Sequence, residues 1–229
     1  MSRNDSEVGK PVLSNLLDAM IGESRDHGWT EEALERILRR MDIAREDIRG
    51  IIPRGAADLA MEYHRRSDRE MIAVLDTMDL STLRFPDRIA EAVWQRCRQA
   101  AGHRLAVRAL IAHFALPRHC AEGARLTWES SDSIWNYFGH TERDLNWYTK
   151  RMTLVTVLGS AALYLVGDSS DGLRETRAFI DRRIADVMRI ESAKARVRNS
   201  RIYEPVAGMM SRFGTRVRHA DGSRRGYSR

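Results

Sequence analysis

The residues of this 229-residue chain with most capacity for chemistry are His113, His119 and Cys120, the nearest approach to a metal-ligating set. Imidazole and thiolate donors at short spacing are what a zinc site requires. His113 and His119 stand on either side of Pro117, however, so they do not share a helix face, and the group reads as ordinary boundary histidines. Cys97 lies between Arg96 and Arg98, whose charge would lower a thiol pKa. Its place in an apolar-periodic run marks a small, half-buried side chain instead. There is no glycine-rich phosphate loop, GxSxG, HExxH or CxxC. No Glu is followed three residues later by His, which removes the paired Glu-x-x-His of di-iron bundles. The expectation is a protein that is not an enzyme and holds no metal and no cofactor.

The aromatic residues are more telling. Trp135, Tyr137, Phe138, Trp147 and Tyr148 cluster closely, and Trp135 with Phe138 reads as core. Asp144, Asn146, Trp147, Tyr148, Thr149, Lys150 and Arg151 cannot all face a core, because neighbours on a helix diverge by about 100°. Some of Trp147, Tyr148, Lys150 and Arg151 must reach the surface, and an exposed aromatic beside an arginine is the composition of a protein–protein interface. Asp144, Asn146, Trp147, Tyr148 and Arg151 are therefore the candidate partner-binding residues. Farther along, Leu158-Gly159-Ser160-Ala161-Ala162-Leu163 sets small residues inside an apolar helix. Either helices approach closely there or missing volume leaves room for a ligand. In the second case Leu154, Val155, Leu158, Ala162 and Leu163 are the candidate lining of an apolar pocket.

The elements that must position these groups are helical. Leu13, Leu16, Leu17, Met20 and Ile21 repeat at helix spacing, Gly28 ends that run, and Thr30 followed by Glu31 and Glu32 reads as an N-cap. Ala33, Leu34, Ile37, Leu38 and Met41 define a second helix. A short third element, Ala44 to Ile52, stops at Pro53-Arg54-Gly55, and a fourth helix runs from Ala56 to Met78 with a weak middle at Arg65–Asp68. Pro86 and Pro117 each begin a helix, ending near Ala101 and Phe138, with another helix from Leu105 to Ala115 between them. Gly139 is a stop, and Thr141 with Asp144 resembles a capping box for a helix reaching Val166. After a turn at Asp168–Gly172, a long amphipathic helix carries Phe179, Ile180, Ile184, Val187 and Met188. The pattern predicts an all-α bundle of roughly nine or ten helices and no sheet. The first four helices look like the DNA-binding part of TetR-type regulators. The candidate recognition segment, Ala44–Arg49, carries two acids against two arginines, a poor match to phosphates, so a scaffold that does not read DNA is expected.

Charge is unevenly distributed. Of the net +6, residues from Ser192 to Arg229 hold +8, and residues 1–191 carry −2. Over Ile202 to Arg218, Val206, Met209, Met210, Phe213 and Val217 fall with Ile202 and Tyr203 in an arc about 120° wide, edged by Arg212, Arg216 and Arg218. Such a segment either docks on an anionic membrane, arginine stems covering apolar surface, or caps the bundle. The candidate membrane-binding residues are Val206, Met209, Met210, Phe213, Val217, Arg212 and Arg216. Two cysteines, a polar start and no apolar run of about 18 residues predict a soluble protein, cytoplasmic and peripheral on the inner membrane.

The stretch Gly139-His140-Thr141-Glu142-Arg143-Asp144-Leu145-Asn146-Trp147-Tyr148-Thr149-Lys150-Arg151, with Phe179-Ile180-Asp181-Arg182-Arg183-Ile184, His27–Leu34 and Pro53-Arg54-Gly55, resembles the lipid-binding accessory protein family of ubiquinone (coenzyme Q) biosynthesis. The resemblance covers roughly Val12 to Glu191. Family members often carry Asp where this chain has His140. It implies a TetR-like homodimer that binds an isoprenoid quinone or phospholipid and associates with the demethoxyubiquinone hydroxylase, with no nucleic-acid partner. Asp144, Trp147, Tyr148 and Arg151 fall where the family contacts, or supports contact with, that enzyme. The expected organisation is a flexible 1–11, a helix-turn-helix-like part over 12–80, a lipid-binding and dimerisation bundle over 81–198, an amphipathic basic helix over 199–218 and a disordered basic tail over 219–229.

Overall fold

The computed structural model describes residues 3–139 and 145–199. Among the described residues there are nine α-helices, two short 3₁₀ turns and no strand. The helices are α1 (Arg3–His27), α2 (Glu31–Met41), α3 (Arg45–Ile48), α4 (Ala56–Leu75), α5 (Phe85–Ala100), α6 (Arg104–Ala115), α7 (Cys120–Tyr137), α8 (Leu145–Gly167) and α9 (Arg174–Asn199). The chain is all-helical, as its periodicity requires. It divides into two units, Met1–Ile184 and Ala185–Arg229. The first contains every contact discussed below, and the described part of the second is the end of α9. The expected capping box of Thr141 and Asp144 and the membrane-binding candidates Val206, Met209, Met210, Arg212, Phe213, Arg216 and Val217 lie outside the described residues.

Local signals place most boundaries. Gly28, at φ +69°, closes α1 by donating to the Ser24 carbonyl at 3.0 Å. The Thr30 hydroxyl accepts from the Ala33 N–H at 3.2 Å, a side-chain N-cap. Three boundaries or segments differ from the sequence reading. α1 begins at Arg3, within the stretch expected to be flexible, and includes Pro11. Pro117 is not inside α7: it belongs to a turn whose His119 and Cys120 N–H groups donate to the Leu116 carbonyl, both at 2.9 Å. And α4 is continuous across Arg65–Asp68. Ser67 and Asp68 are buried, so the polar stretch that reads as a weak point is part of the inward face.

Leu16, Leu17 and Met20 of α1, Leu34 and Ile37 of α2, Ile48, Ile52 and Leu59 pack with Val107 and Leu110 of α6 in one buried cluster. Trp29 ties it together: the side chain is buried, Nε1 donates to the Ala106 carbonyl at 3.1 Å, and its ring lies 5.3 Å from that of Tyr63. This core crosses residue 80, so the N-terminal helices are not packed independently of the bundle.

α3 has only four residues. Its Arg45 donates to Glu31 Oε2 at 2.5 Å and to Glu35 Oε1 at 3.2 Å, while Glu31 Oε1 accepts from the Ala56 N–H at 2.7 Å. The Pro53-Arg54-Gly55 turn makes this knot possible. Gly55 sits at φ +60°, and a Cβ there would stand 2.4 Å from Glu31 Oε1 and 2.7 Å from Arg45 Nη2. Gly55→Ala should therefore cost about 1–2 kcal/mol from backbone strain alone and more as Glu31 is displaced. The measurement is a lower urea midpoint at unchanged slope. Gly50→Ala, where a Cβ would meet nothing within 4 Å, should stay within about 0.5 kcal/mol.

Candidate functional site

Five helices enclose a cavity of about 340 Å³. α6 supplies Val107, Leu110, Ile111 and Phe114, α7 supplies Gly123 and Thr127, and α8 supplies Leu158, Gly159, Ala162, Leu163 and Leu165. Leu163, 62% exposed, lies at the mouth. The two glycines do opposite things. Gly123 lets α7 close on α6, because a Cβ there would stand 2.7 Å from Phe114 Cβ. At Gly159 a Cβ would meet nothing within 4 Å, so the small residues of α8 leave space. Of the five sequence candidates, Leu158, Ala162 and Leu163 line the cavity. Leu154, buried, and Val155, half-buried, do not, since the cavity spans only the last turns of α8. A larger hollow of about 840 Å³, between the α1–α2 turn and α6, is a surface groove with Arg25, Arg108 and Arg118 around it.

One corner of the cavity is polar, and the sequence did not single it out. Arg96 of α5 donates through Nε to Asp68 Oδ1 of α4 at 2.7 Å, and its Nη2 is 3.1 Å from His64 Nε2. Ser130 of α7 donates to Asp68 Oδ2 at 2.7 Å and lies 2.8 Å from His64 Nε2. Burial, and then the Arg96 charge, bring the His64 pKa down to about 3, so its 3.9 Å approach to Asp68 is not an ion pair at neutral pH. Burial opposes the charge on Arg96 too, but Asp68 outweighs it and the pKa is raised. Helical spacing puts His64 and Asp68 on one face of α4, but no spacing rule links that pair to Arg96 or Ser130. Only the packing of α4 on α5 and α7 does.

A second feature lies at the other end of α8. Trp147, Tyr148 and Trp128 of α7 form an aromatic cluster, with ring centroids 4.7 Å apart for Trp147–Tyr148 and 5.8 Å for Trp128–Trp147. Tyr148 and Met152 are exposed at 58% and 57%. Arg151, a sequence candidate for partner contact, is completely buried. Its guanidinium lies 3.8 Å over the Trp147 ring and donates to Asp132 Oδ1 at 2.5 Å and Asn136 Oδ1 at 3.0 Å. Arg151 therefore braces the aromatic face from beneath. Trp128 joins from 19 positions before Trp147, beyond any helical spacing. Asp144 is outside the described residues, as is the side chain of Asn146.

The chemical candidates are also rearranged. The turn at Leu116–His119 folds back so that the His113 and His119 rings stack at 4.2 Å, although they share no helix face. No group of three or more His, Cys, Asp or Glu side chains gathers to hold a metal among the described residues. Cys97 is buried, which pushes its thiol pKa up to about 11 against the opposing Arg96 charge. No helix among the described residues is long and apolar enough to cross a membrane.

The described residues thus form a helical bundle with an apolar cavity, one polar corner and an aromatic surface patch. Residues 120–191, which hold α7, α8 and much of α9, match the family model described as COQ9. The chain is 23% identical over 203 residues to the rat protein named "Ubiquinone biosynthesis protein COQ9, mitochondrial", covering 86% of this chain and 65% of that one. It is 21% identical over 203 residues to the human protein of that name, covering 86% and 64%, and 23% identical over 185 residues to the Drosophila melanogaster protein, covering 79% and 56%. It thus spans less than two thirds of the length of each. Over residues 120–191 the chain is similar to the COQ9 family.

The neutral buried His64 has a stability signature. The unfolded chain takes up a proton on this residue as pH falls below about 6.5, and the folded chain does so only near 3. Stability contributed by keeping it neutral is present above about 6.5 and is lost on acidification through that window, by at most about 1.4 kcal/mol per pH unit. Urea midpoints should therefore fall between pH 7 and pH 5, and His64→Gln should flatten that fall.

Proposed function

We propose that this chain is a non-catalytic accessory protein of ubiquinone biosynthesis that binds isoprenoid quinone intermediates at the membrane and presents them to the demethoxyubiquinone hydroxylase. The observation that carries the proposal is the layout of α8, whose C-terminal turns line the apolar cavity while its N-terminal turns carry Trp147, Tyr148 and Met152. A polyprenylated quinone is too apolar to leave a bilayer unaided, and a cavity lined by Leu, Val and Phe removes its surface from water. At about 340 Å³ the cavity sits near the lower end for small-molecule sites, so it takes part of the lipid and leaves the remainder outside. The names of the relatives support the pathway. The basic segment beyond residue 199 supplies the membrane contact.

The rival reading, a TetR-type DNA-binding regulator, needs an exposed recognition helix. α3 offers one turn, with Arg45 already tied to Glu31 and Glu35, and this favours the lipid reading over it.

Ala162→Trp should fill the cavity. Mass spectrometry of co-purifying lipids should find prenylated quinones with the unsubstituted protein and a loss of at least about ten-fold in the variant. Absence of prenylated lipid from both overturns the reading. Tyr148→Ala should weaken capture of the hydroxylase while leaving stability within about 0.5 kcal/mol. Arg151→Ala should weaken capture and also cost about 2 kcal/mol or more, because Asp132 loses its buried partner.

A further inference from the structure

Binding hydrocarbon alone does not require the polar corner of the cavity. A guanidinium taken out of water is costly unless its donors find acceptors, and an apolar trio of similar volume would seal the same space at lower cost. Guanidinium carries five N–H donors. In Arg96, Nε is used on Asp68 and one Nη2 hydrogen is directed at His64. The Nη1 group has no hydrogen-bond partner among the described residues, and Arg96 lines the cavity. The charge balance then narrows the ligand. Asp68 cancels Arg96, and His64, its pKa brought down to about 3 by burial and the Arg96 charge, is neutral. The corner is therefore a fixed donor with no net charge. It matches an acceptor oxygen on a neutral group, and it leaves a phosphate or diphosphate without a counter-charge and close to the Asp68 carboxylate.

We propose that Arg96 is the specificity-determining anchor of the cavity, receiving a carbonyl or ether oxygen of a neutral oxygenated ring while the prenyl chain leaves past Leu163. The Asp68–Arg96–Ser130 cluster selects prenylated quinones over bare polyprenyl hydrocarbons and over prenyl diphosphates. This rests on the lipid reading above and adds a direction to it: the head group enters first. Presentation to the hydroxylase then requires the head group to leave Arg96, and α8, which carries both the mouth of the cavity and the aromatic face, is the element through which docking reaches the ligand.

The test uses the full chain stripped of lipid and three probes: a dimethoxybenzoquinone bearing one isoprene unit, the hydrocarbon farnesene, and farnesyl diphosphate. Binding is followed by native mass spectrometry. A hydrogen bond to a charged donor is worth about ten-fold in affinity or more, so the quinone should bind at least about ten-fold more tightly than either other probe. The charge-balanced double variant Asp68→Asn/Arg96→Met should lower quinone affinity to the hydrocarbon level and leave farnesene binding unchanged. Equal binding of quinone and farnesene by the unsubstituted chain overturns the proposal without recourse to a variant, as does tighter binding of the diphosphate. Quinone affinity unchanged in the double variant overturns it as well. If none of the probes binds, the lipid reading fails and this inference with it, whereas farnesene binding without quinone preference leaves the lipid reading standing and removes only the anchor.

Discussion

The pairing of Arg96 with Asp68 decides how α4 and α5 meet, and much else depends on that meeting. Two charges are taken from water at this point, so the geometry must satisfy both. Asp68 does so by accepting from Arg96 and from Ser130, which brings α7 into the same cluster. Three helices are thereby held in register around polar atoms, and apolar side chains from α6 and α8 enclose the remaining volume.

The same logic recurs at the other end of α8. Arg151 is buried under Trp147 and held by Asp132 and Asn136 of α7, and the Ser131 hydroxyl donates to its carbonyl at 2.9 Å. Long aromatic side chains at a surface lose entropy when they are ordered. A charged plane beneath Trp147 offsets that cost and keeps the face in shape before any partner arrives, which is preorganisation in the sense that matters for affinity.

Much of the helical framework was legible in the residues. Thr30 caps α2, Gly28 and Gly139 end their helices, and Pro86 opens α5, because each of these effects acts within a few residues. Pro117 misled, since a proline can equally occupy the turn before a helix, and hydrogen bonding to Leu116 settled which. Of the α8 candidates, Leu158, Ala162 and Leu163 line the cavity, and Leu154 and Val155 fall short of it. Arg151 was one of four residues, with Trp147, Tyr148 and Lys150, of which some had to reach the surface, and it is the buried one. Periodicity says that some of those side chains must be exposed, yet it cannot say which of them a neighbouring helix will cover. Trp128 was passed over for the complementary reason, having no local partner.

Taken alone, the order of residues determined that this chain is helical, where most of its helices begin and end, and that one segment of α8 carries both aromatic and small apolar character. These properties follow from backbone preferences and from a 3.6-residue period, which neighbours along the chain suffice to define. Only the folded chain decided that His64, Asp68, Arg96 and Ser130 share one corner, that Trp128 meets Trp147, and that Arg151 lies beneath its aromatic neighbour. Each of these depends on how one helix is rotated against another. That rotation is set by packing and by burying charge in pairs, forces that act between residues far apart in the chain.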